Sequence, residues 1–206
     1  MTCGIKICGL SREFDIQYVN EARPDYAGFI LLFPKSHRNI HPEWAAELKK
    51  ALRPEIRAVG VFVDQPQEAV LSAADVAGLD VIQLHGHEDE VYIRELKKKS
   101  AWPVWKAFHV RTKEDVRSAE ESAADEILLD NGYGTGQSFD WSLLSEISRP
   151  FCLAGGLTPE NIPEAIRLFS PKFVDISSGV ETGGLKDREK IRRAVKAVRS
   201  YPCSGM

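Results

Sequence analysis

The sequence predicts an α/β fold because short apolar runs alternate along it with longer amphipathic stretches. The apolar runs are nearly continuous, which is typical of parallel strands that are buried on both faces. Two architectures take such a repeat, an open doubly wound sheet and a closed (β/α)8 barrel, the TIM barrel. Eight repeats in 206 residues favour the barrel, near the lower end of its size range. We therefore expect residues 1–200 to form one barrel domain and residues 201–206 to form a flexible tail.

Eight strands and eight helices are predicted in strict alternation. The strands are expected at residues 4–8, 26–32, 57–63, 80–84, 104–108, 126–129, 151–154 and 173–176. The first helix is expected to reach Ala22, and the second to begin near Trp44 with Pro42 in its first turn. The remaining helices are expected at residues 67–77, 90–99, 112–123, 140–147, 159–169 and 187–199.

Three helix starts carry cap signals. Ser11 is the expected cap of the first helix, and Thr112 is followed by an acid three residues later, at Asp115. Thr158 and Pro159 together are typical of an N-cap followed by proline at the first helical position.

Composition and charge argue against several classes of partner. The net charge is -3, so charge gives no support to a nucleic-acid or anionic-membrane partner. No apolar stretch approaches the roughly 18 residues that cross a bilayer, and nothing near the N-terminus resembles a secretory signal. The four cysteines include no CxxC pair, which favours a reducing, cytoplasmic location over a disulfide framework.

A thiol and a carboxylate each end a predicted strand. Cys8 ends the first strand beside Gly9, and Asp130 ends the sixth strand just before Gly132. Barrel enzymes keep their chemistry at the carboxyl ends of the strands. Cys8 is therefore either a nucleophile, a general base or a buried small hydrophobe, the last being our interpretation of Cys152. Asp130 is either a general acid whose pKa is raised by burial or a cap for the next loop.

Glycines follow the last two strands. Gly155 and Gly156 follow the seventh strand, and Ser178 and Gly179 follow the eighth. Glycine lets backbone N–H groups approach an anion closely, and this pair of loops often binds phosphate in barrels, although the glycines could simply make tight turns.

Arg38 and His85 are further candidates for substrate contacts. Arg38 lies in the longest loop, where it is either solvated or placed to grip a carboxylate through two parallel hydrogen bonds. His85 either lines a pocket or caps the fourth strand. His85 and His87 are close in sequence, but no third or fourth ligand follows at a suitable spacing, so no metal is expected.

The chain resembles the phosphoribosylanthranilate isomerase family through an ordered set of segments. In chain order they are KICGL (6–10), FPKSHR (33–38), VGVFV (59–63), QLHG (83–86), KAF (106–108), LLD (128–130), GTG (134–136), FDW (139–141), LAGGLTPEN (153–161) and VDISSGVE (174–181). Each segment is weak alone, whereas the ordered set covers nearly the whole chain.

The resemblance implies an Amadori rearrangement in tryptophan biosynthesis without cofactor or metal. N-(5-phosphoribosyl)anthranilate becomes 1-(2-carboxyphenylamino)-1-deoxyribulose 5-phosphate. The family's roles map onto Asp130 as general acid, Cys8 as general base and Arg38 as the group that holds the anthranilate carboxylate. Further roles fall on the phosphate loops, at Gly155, Gly156, Ser178 and Gly179, and on Asp175, which is expected at the sugar hydroxyls. The expected partner is a small phosphorylated molecule, and a monomer is preferred over a homodimer.

Three rival functions fit the sequence less well. The histidine-pathway isomerase performs the same rearrangement on a different amine, but that family has an aspartate where Cys8 stands. Indole-glycerol-phosphate synthase needs a lysine-based set at the strand ends that this sequence lacks. A non-catalytic phosphate-binding barrel would not need both Cys8 and Asp130.

Overall fold

Eight parallel strands close into a barrel in a computed structural model, which describes residues 3–130 and 147–201. The strands are β1 Gly4–Cys8, β2 Tyr26–Leu31, β3 Arg57–Phe62, β4 Val81–Leu84, β5 Val104–His109, β6 Glu126–Asp130, β7 Cys152–Ala154 and β8 Phe173–Ile176. Each strand pairs with the next, and β1 pairs with both β2 and β8, which closes the ring. The prediction of a (β/α)8 barrel is confirmed, and every strand lies within two residues of its expected bounds.

Seven helices are present in the described part of the chain. They are α1 Glu13–Ala22, α2 Pro42–Lys50, α3 Gln67–Ala77, α4 Glu90–Lys99, α5 Lys113–Glu121, α6 Ile162–Phe169 and α7 Arg188–Arg199. The expected helix at 140–147 falls almost wholly outside the described residues, since only Ile147 is described and it is not helical. No helix among residues 3–130 and 147–201 has the length and apolarity that a membrane crossing requires.

The cap predictions succeed at α5 and fail at two other helices. The side chain of Thr112 accepts a hydrogen bond from Asp115 N, and α5 begins as expected. At α1 the N-cap is Arg12 and not Ser11, because the Asp15 carboxylate accepts the backbone N–H groups of both residues, at 2.9 and 3.0 Å.

The start of α6 was also predicted wrongly. Asn161 folds back so that its Oδ1 accepts from Thr158 N at 2.8 Å and its Nδ2 donates to Gly156 O at 3.0 Å. This closes a turn over residues 158–161, and the helix begins only at Ile162. At the other end of the chain, Tyr201 is half-buried against the core, and residues 202–206 of the predicted tail lie outside the described residues.

Two separate apolar clusters hold the fold together. The larger one lies between the strands and the surrounding helices and includes Ile5 and Ile7 of β1. The smaller one fills the barrel and consists of Val59, Val81, Trp105, Ala107, Leu128, Cys152 and Phe173. Successive strand residues face opposite sides, so β3 to β8 each supply both clusters, whereas β1 supplies only the larger one. Cys152 is fully buried in the inner cluster, as predicted.

Aromatic rings close the lower part of the barrel. The rings of Trp105 and Phe173 have centroids 4.9 Å apart, and Tyr26 lies 4.9 Å from the first and 5.5 Å from the second. These three residues stand in the amino-terminal halves of their strands. Because they fill that end, the open space in the barrel is left at the carboxyl ends of the strands.

Candidate active site

A cavity of about 380 Å³ opens at the carboxyl ends of the strands. Most of the site residues expected from the sequence line it, namely Cys8, His85, Asp130, Gly155, Gly156, Asp175 and Ser178. Arg38 and Gly179 do not line it. The strand topology therefore brings the thiol and the carboxylate that end β1 and β6 to one space.

The backbone around Cys8 is fixed from two sides. The N–H groups of Gly9 and Leu10 both donate to Gly28 O, at 2.9 and 3.0 Å. The Ser177 hydroxyl donates to Cys8 O at 3.0 Å. Gly9 has φ of +78°, a left-handed conformation that glycine adopts without strain, so β1 ends there and the thiol stays at the strand end.

A buried lysine lies directly below the thiol. Lys6 precedes Cys8 by two residues on the same face of β1, is 0% exposed, and donates from Nζ to Asp175 Oδ2 at 2.8 Å. Burial raises the pKa of Cys8, and Lys6 acts against this because its positive charge favours the thiolate, while Asp175 raises that pKa further. Sequence reasoning missed Lys6, although strand alternation marks it as the inward neighbour of Cys8.

Asp130 contacts a chain of two polar side chains, His85 just after β4 and Gln83 within it. Its Oδ2 lies 3.2 Å from His85 Nε2, and His85 Nδ1 lies 3.1 Å from Gln83 Nε2. The Oε1 atom of Gln83 is buried without a hydrogen-bond partner among the described residues. His85 therefore lines the pocket, one of the two roles expected for it, and is held between the candidate acid and a buried amide.

His109 is a second histidine in the cavity wall, and sequence reasoning did not single it out. It ends β5, and its ring lies edge-on to that of His85 with centroids 5.9 Å apart. Burial lowers the pKa of His109; nearby His85 adds to this and Asp130 opposes it. Its position at a strand end was a signal that could have found it.

Arg38 is held in an ion pair instead of facing the cavity. Its Nε and Nη2 donate to the two carboxylate oxygens of Glu181, each at 2.7 Å. Lys186 also donates to Glu181, at 2.7 Å. Burial would raise the pKa of Glu181, but the hydrogen bonds from Arg38 and Lys186 outweigh it and hold that pKa below its usual value. Arg38 is thus placed against a carboxylate, but one from the chain itself.

The two glycine loops pack directly against each other. Gly155 and Gly156 have φ of +81° and +63°, which turns the chain sharply after β7. A methyl group placed on Gly179 would lie 1.9 Å from Leu157 O, so only glycine lets the loops come this close. Gly179 does not line the cavity, but its close contact with Leu157 O determines the positions of Ser178 and of the loop after β7.

Metal-ligating side chains do not cluster in the described part of the chain. No group of three or more His, Cys, Asp or Glu residues suited to an ion occurs among residues 3–130 and 147–201. His87, whose side chain is 95% exposed, contacts Asp64 at 3.0 Å and is turned away from the site.

Comparisons with known proteins agree with this geometry. A family model described as N-(5'-phosphoribosyl)anthranilate (PRA) isomerase matches residues 5–197. The chain belongs to the PRA isomerase family. It is therefore an enzyme, and the resemblance seen in the sequence is confirmed. The family's isomerase activity in tryptophan biosynthesis accounts for a cavity at the catalytic face.

Individual relatives are similar over their whole length. The N-(5'-phosphoribosyl)anthranilate isomerase of Thermoanaerobacter sp. (strain X514) is 45% identical over 202 residues, which cover 95% of this chain and 97% of the relative. The crystal structure of the phosphoribosyl anthranilate isomerase from Thermotoga maritima is 37% identical with a TM-score of 0.86, covering 97% of this chain and all of that one.

Two further structures bear on ligand and assembly. A PRA isomerase structure in complex with reduced 1-(o-carboxyphenylamino)-1-deoxyribulose 5-phosphate is 35% identical, with a TM-score of 0.83 and coverage of 97% of this chain and 100% of that one. A structure of monomers generated from the dimeric Thermotoga maritima enzyme is 36% identical, with the same TM-score and the same coverage.

Proposed function

We propose that this chain catalyses the Amadori rearrangement of N-(5-phosphoribosyl)anthranilate, with Asp130 as general acid and Cys8 as general base. The observation that carries the proposal is that both groups line one cavity, with the glycine loops after β7 and β8 forming part of its wall. The reaction needs a proton donor and a proton acceptor on a small sugar phosphate, and this cavity supplies one of each.

The first step opens the ribose ring. Asp130 donates its proton to the ring oxygen, the C1′–O bond breaks, and the nitrogen lone pair forms the Schiff base. The contact between Asp130 Oδ2 and His85 Nε2 holds the carboxyl group in the cavity wall. Asp130 is left as a carboxylate, which can take back a proton when the product leaves.

The second step moves a proton from carbon. The thiolate of Cys8 removes the C2′ proton, which the cationic Schiff base has made acidic, and the electron pair forms the enolamine. The enolamine then tautomerises to the aminoketose, in which C1′ gains a proton and the C2′ hydroxyl loses one to become the ketone. The hydrogen bonds that fix Gly9, Leu10 and Cys8 O keep the sulfur at one place during this transfer.

Anchors at both ends of the substrate fix the reacting carbons between these groups. We assign the phosphate to the loops at Gly155, Gly156, Ser178 and Gly179. The anthranilate carboxylate replaces Glu181 as the partner of the Arg38 guanidinium. Glu181 already accepts two parallel hydrogen bonds from Arg38, which is the geometry expected for a bound carboxylate.

Asp175 and His85 complete the substrate contacts. Asp175 Oδ2 is taken by Lys6, whereas Oδ1 is buried without a hydrogen-bond partner among the described residues. Since a buried carboxylate oxygen is costly to leave unpaired, Oδ1 is suited to accept a hydrogen bond from a sugar hydroxyl. His85 lines the wall between Asp130 and the β4 strand.

Cys8→Ala tests the base, with Cys152→Ala as the matched control. Both cysteines face the barrel interior, but only Cys8 reaches the cavity. We expect Cys8→Ala to lower turnover by about 10²- to 10⁴-fold, measured by the loss of substrate fluorescence. Its affinity for the reduced product analogue should change little, and Cys152→Ala should retain turnover. If Cys8→Ala turned over nearly as fast as the parent, Cys8 would not be the base.

Substrate choice, assembly and location have direct tests. Running the histidine-pathway substrate beside phosphoribosylanthranilate separates the two aldose–ketose isomerases, and turnover of neither would favour a non-catalytic binding barrel. We propose a monomer, with a homodimer as the alternative, and light scattering on a sizing column distinguishes them. A cytoplasmic location is our proposal for the cell, to be checked by fractionation.

A further inference from the structure

We infer that Lys6 is a positioning residue whose buried ammonium stabilises the thiolate form of Cys8, the form that accepts the substrate proton. The inference rests on the proposed role of Cys8 as the base and extends it to a residue that does not touch the substrate. Lys6 lies outside the residues that line the cavity. Its action is therefore on the sulfur and not on the sugar.

The barrel packing puts the ammonium and the sulfur side by side. Lys6 and Cys8 are two residues apart on β1, so both side chains point into the barrel and away from the helix layer. A methyl group placed on Gly28, the β2 neighbour of Cys8, would lie 3.0 Å from both Cys8 Sγ and Lys6 Cε. The two side chains thus share the space that the missing side chain of Gly28 leaves open.

Several charges act on the thiol, and Lys6 is the leading one that favours its ionised form. Burial and Asp175 of β8 both raise the pKa of Cys8, whereas Lys6, and more weakly Lys186 from the loop after β8, lower it. Burial outweighs the lysines, so the pKa of Cys8 lies above its usual value, and Lys6 limits that rise. Arg38 also interacts electrostatically with Cys8, but the Arg38 guanidinium and the Lys186 ammonium both donate hydrogen bonds to Glu181. Across the cavity stand Asp130, His85 and His109.

Stability alone does not account for an ion pair in this place. Taking two charges out of water is costly, and apolar side chains of similar volume are often as stabilising or more so. Seven interior residues form an apolar and aromatic cluster, so barrel positions can be filled without a charge. A cation below a thiol that must lose its proton supplies a reason for keeping the pair.

Site-resolved alkylation of Cys8 tests the inference apart from catalysis. The thiolate displaces iodide from iodoacetamide, forming the S–C bond, so the rate at Cys8 follows its thiolate fraction. The rate is measured by peptide mass spectrometry across pH for the parent, Lys6→Met, Asp175→Asn and Lys106→Met. Lys106 is the matched control, because it is also a buried lysine, 4% exposed, and pairs with Glu88 at 3.1 Å on another part of the barrel.

The two members of the pair should shift the thiol in opposite directions. Lys6→Met should raise the midpoint for Cys8 by about one pH unit or more, which slows alkylation about tenfold at a pH below the midpoint. Asp175→Asn should lower the midpoint, and Lys106→Met should leave it unchanged. If the pair were merely structural, both variants would lower the stability of the protein, and the alkylation midpoint for Cys8 would not move in opposite directions.

The outcomes separate this inference from the proposed base. An unchanged midpoint in Lys6→Met overturns the role of Lys6 even if Cys8→Ala is inactive. Should Lys6→Met fail to fold, Asp175→Asn decides, since an unchanged or raised midpoint there also overturns it. Full turnover by Cys8→Ala would refute the role of Cys8 as base, whereas the alkylation result would still describe the ionisation of the thiol. If the inference holds, kcat of Lys6→Met should fall and recover as pH rises.

Discussion

The contact between the two glycine loops yields a sharp prediction for Gly179→Ala. The alanine methyl group would lie 1.9 Å from Leu157 O, and its next neighbours are also backbone atoms, Leu157 C and Thr158 Cα. No flexible side chain can move aside. The loop after β7 and the short 3-10 helix Ser178–Val180 must therefore separate, and the proposed phosphate site lies between them.

The size of the displacement follows from the distances. Cβ atoms essentially never come within 3.0 Å of a neighbour, so the loops must part by at least about 1.1 Å from the present 1.9 Å. Misplacing a binding group by about 1 Å can cost about a hundredfold in rate. We expect kcat/KM to fall by that order, equivalent to about 2.7 kcal/mol of transition-state stabilisation.

Steady-state kinetics with the phosphorylated substrate measure this effect, and inorganic phosphate as a competitive inhibitor reports on the subsite alone. Gly183→Ala is the control. It lies in the same segment, at φ of +60°, with nothing within 4 Å of its added methyl group, so it carries about 1–2 kcal/mol of backbone strain without a clash. A Gly179→Ala variant that kept kcat/KM within about threefold of the control would refute the idea that loop contact builds the phosphate site.

Three further predictions concern the charged groups around the cavity. Asp130→Asn, which keeps the shape but cannot donate the acid proton, should lower kcat by about 10²-fold or more, and near-normal turnover would remove Asp130 from the acid role. Arg38→Ala should raise KM more than it lowers kcat, and a collapse of kcat at unchanged KM would mean that its task is not carboxylate binding. Because the pKa of Glu181 is lowered in the fold, its stabilising effect is present above the usual glutamate pKa of about 4.3 and is lost as pH falls through the folded value. Glu181→Gln should therefore lower Tm at neutral pH and flatten the fall of Tm in acid, as followed by circular dichroism, and an unchanged Tm profile would contradict this.

The fold could be predicted because each barrel strand is buried on both faces. Adjacent residues such as Val81 and Ile82, or Ile127 and Leu128, face opposite sides of the sheet, yet all are apolar, so the runs stand out from the amphipathic helices. Helix starts were less predictable. A cap is decided by which side chain reaches the free N–H groups, and at α1 the carboxylate of Asp15 reaches them from inside the helix.

The site was predictable as far as strand ends define it. Cys8, Asp130 and His85 were identified because a polar residue ending an apolar strand must lie at the catalytic face of a barrel. The partner of Arg38 was not predictable, since Glu181 is 143 residues away and neither residue carries a pattern that links them. Lys6 was hidden for another reason, because a lysine inside an apolar strand looks like an interruption until its partner Asp175 is seen across the sheet.

The order of strands around the ring explains how one cavity can hold the proposed acid, base and phosphate sites at once. Around the barrel, β6 is followed by β7, β8 and then β1, so Asp130 and Cys8 are three strands apart and reach the cavity from different walls. The two proposed phosphate loops follow β7 and β8, between those walls. In the proposed mode of binding, a phosphate held there leaves the other end of the ribose free to extend into the cavity, with the ring oxygen toward the Asp130 wall and C2′ toward the Cys8 wall. The same ring accounts for the polar pair beneath the thiol, because β8 is the strand that neighbours β1 and places Asp175 beside Lys6. The positions of the proposed acid, base and anchor are therefore consequences of strand order, and exchanging the acid and base positions, as in a Cys8→Asp, Asp130→Cys variant, should leave the fold intact but abolish turnover.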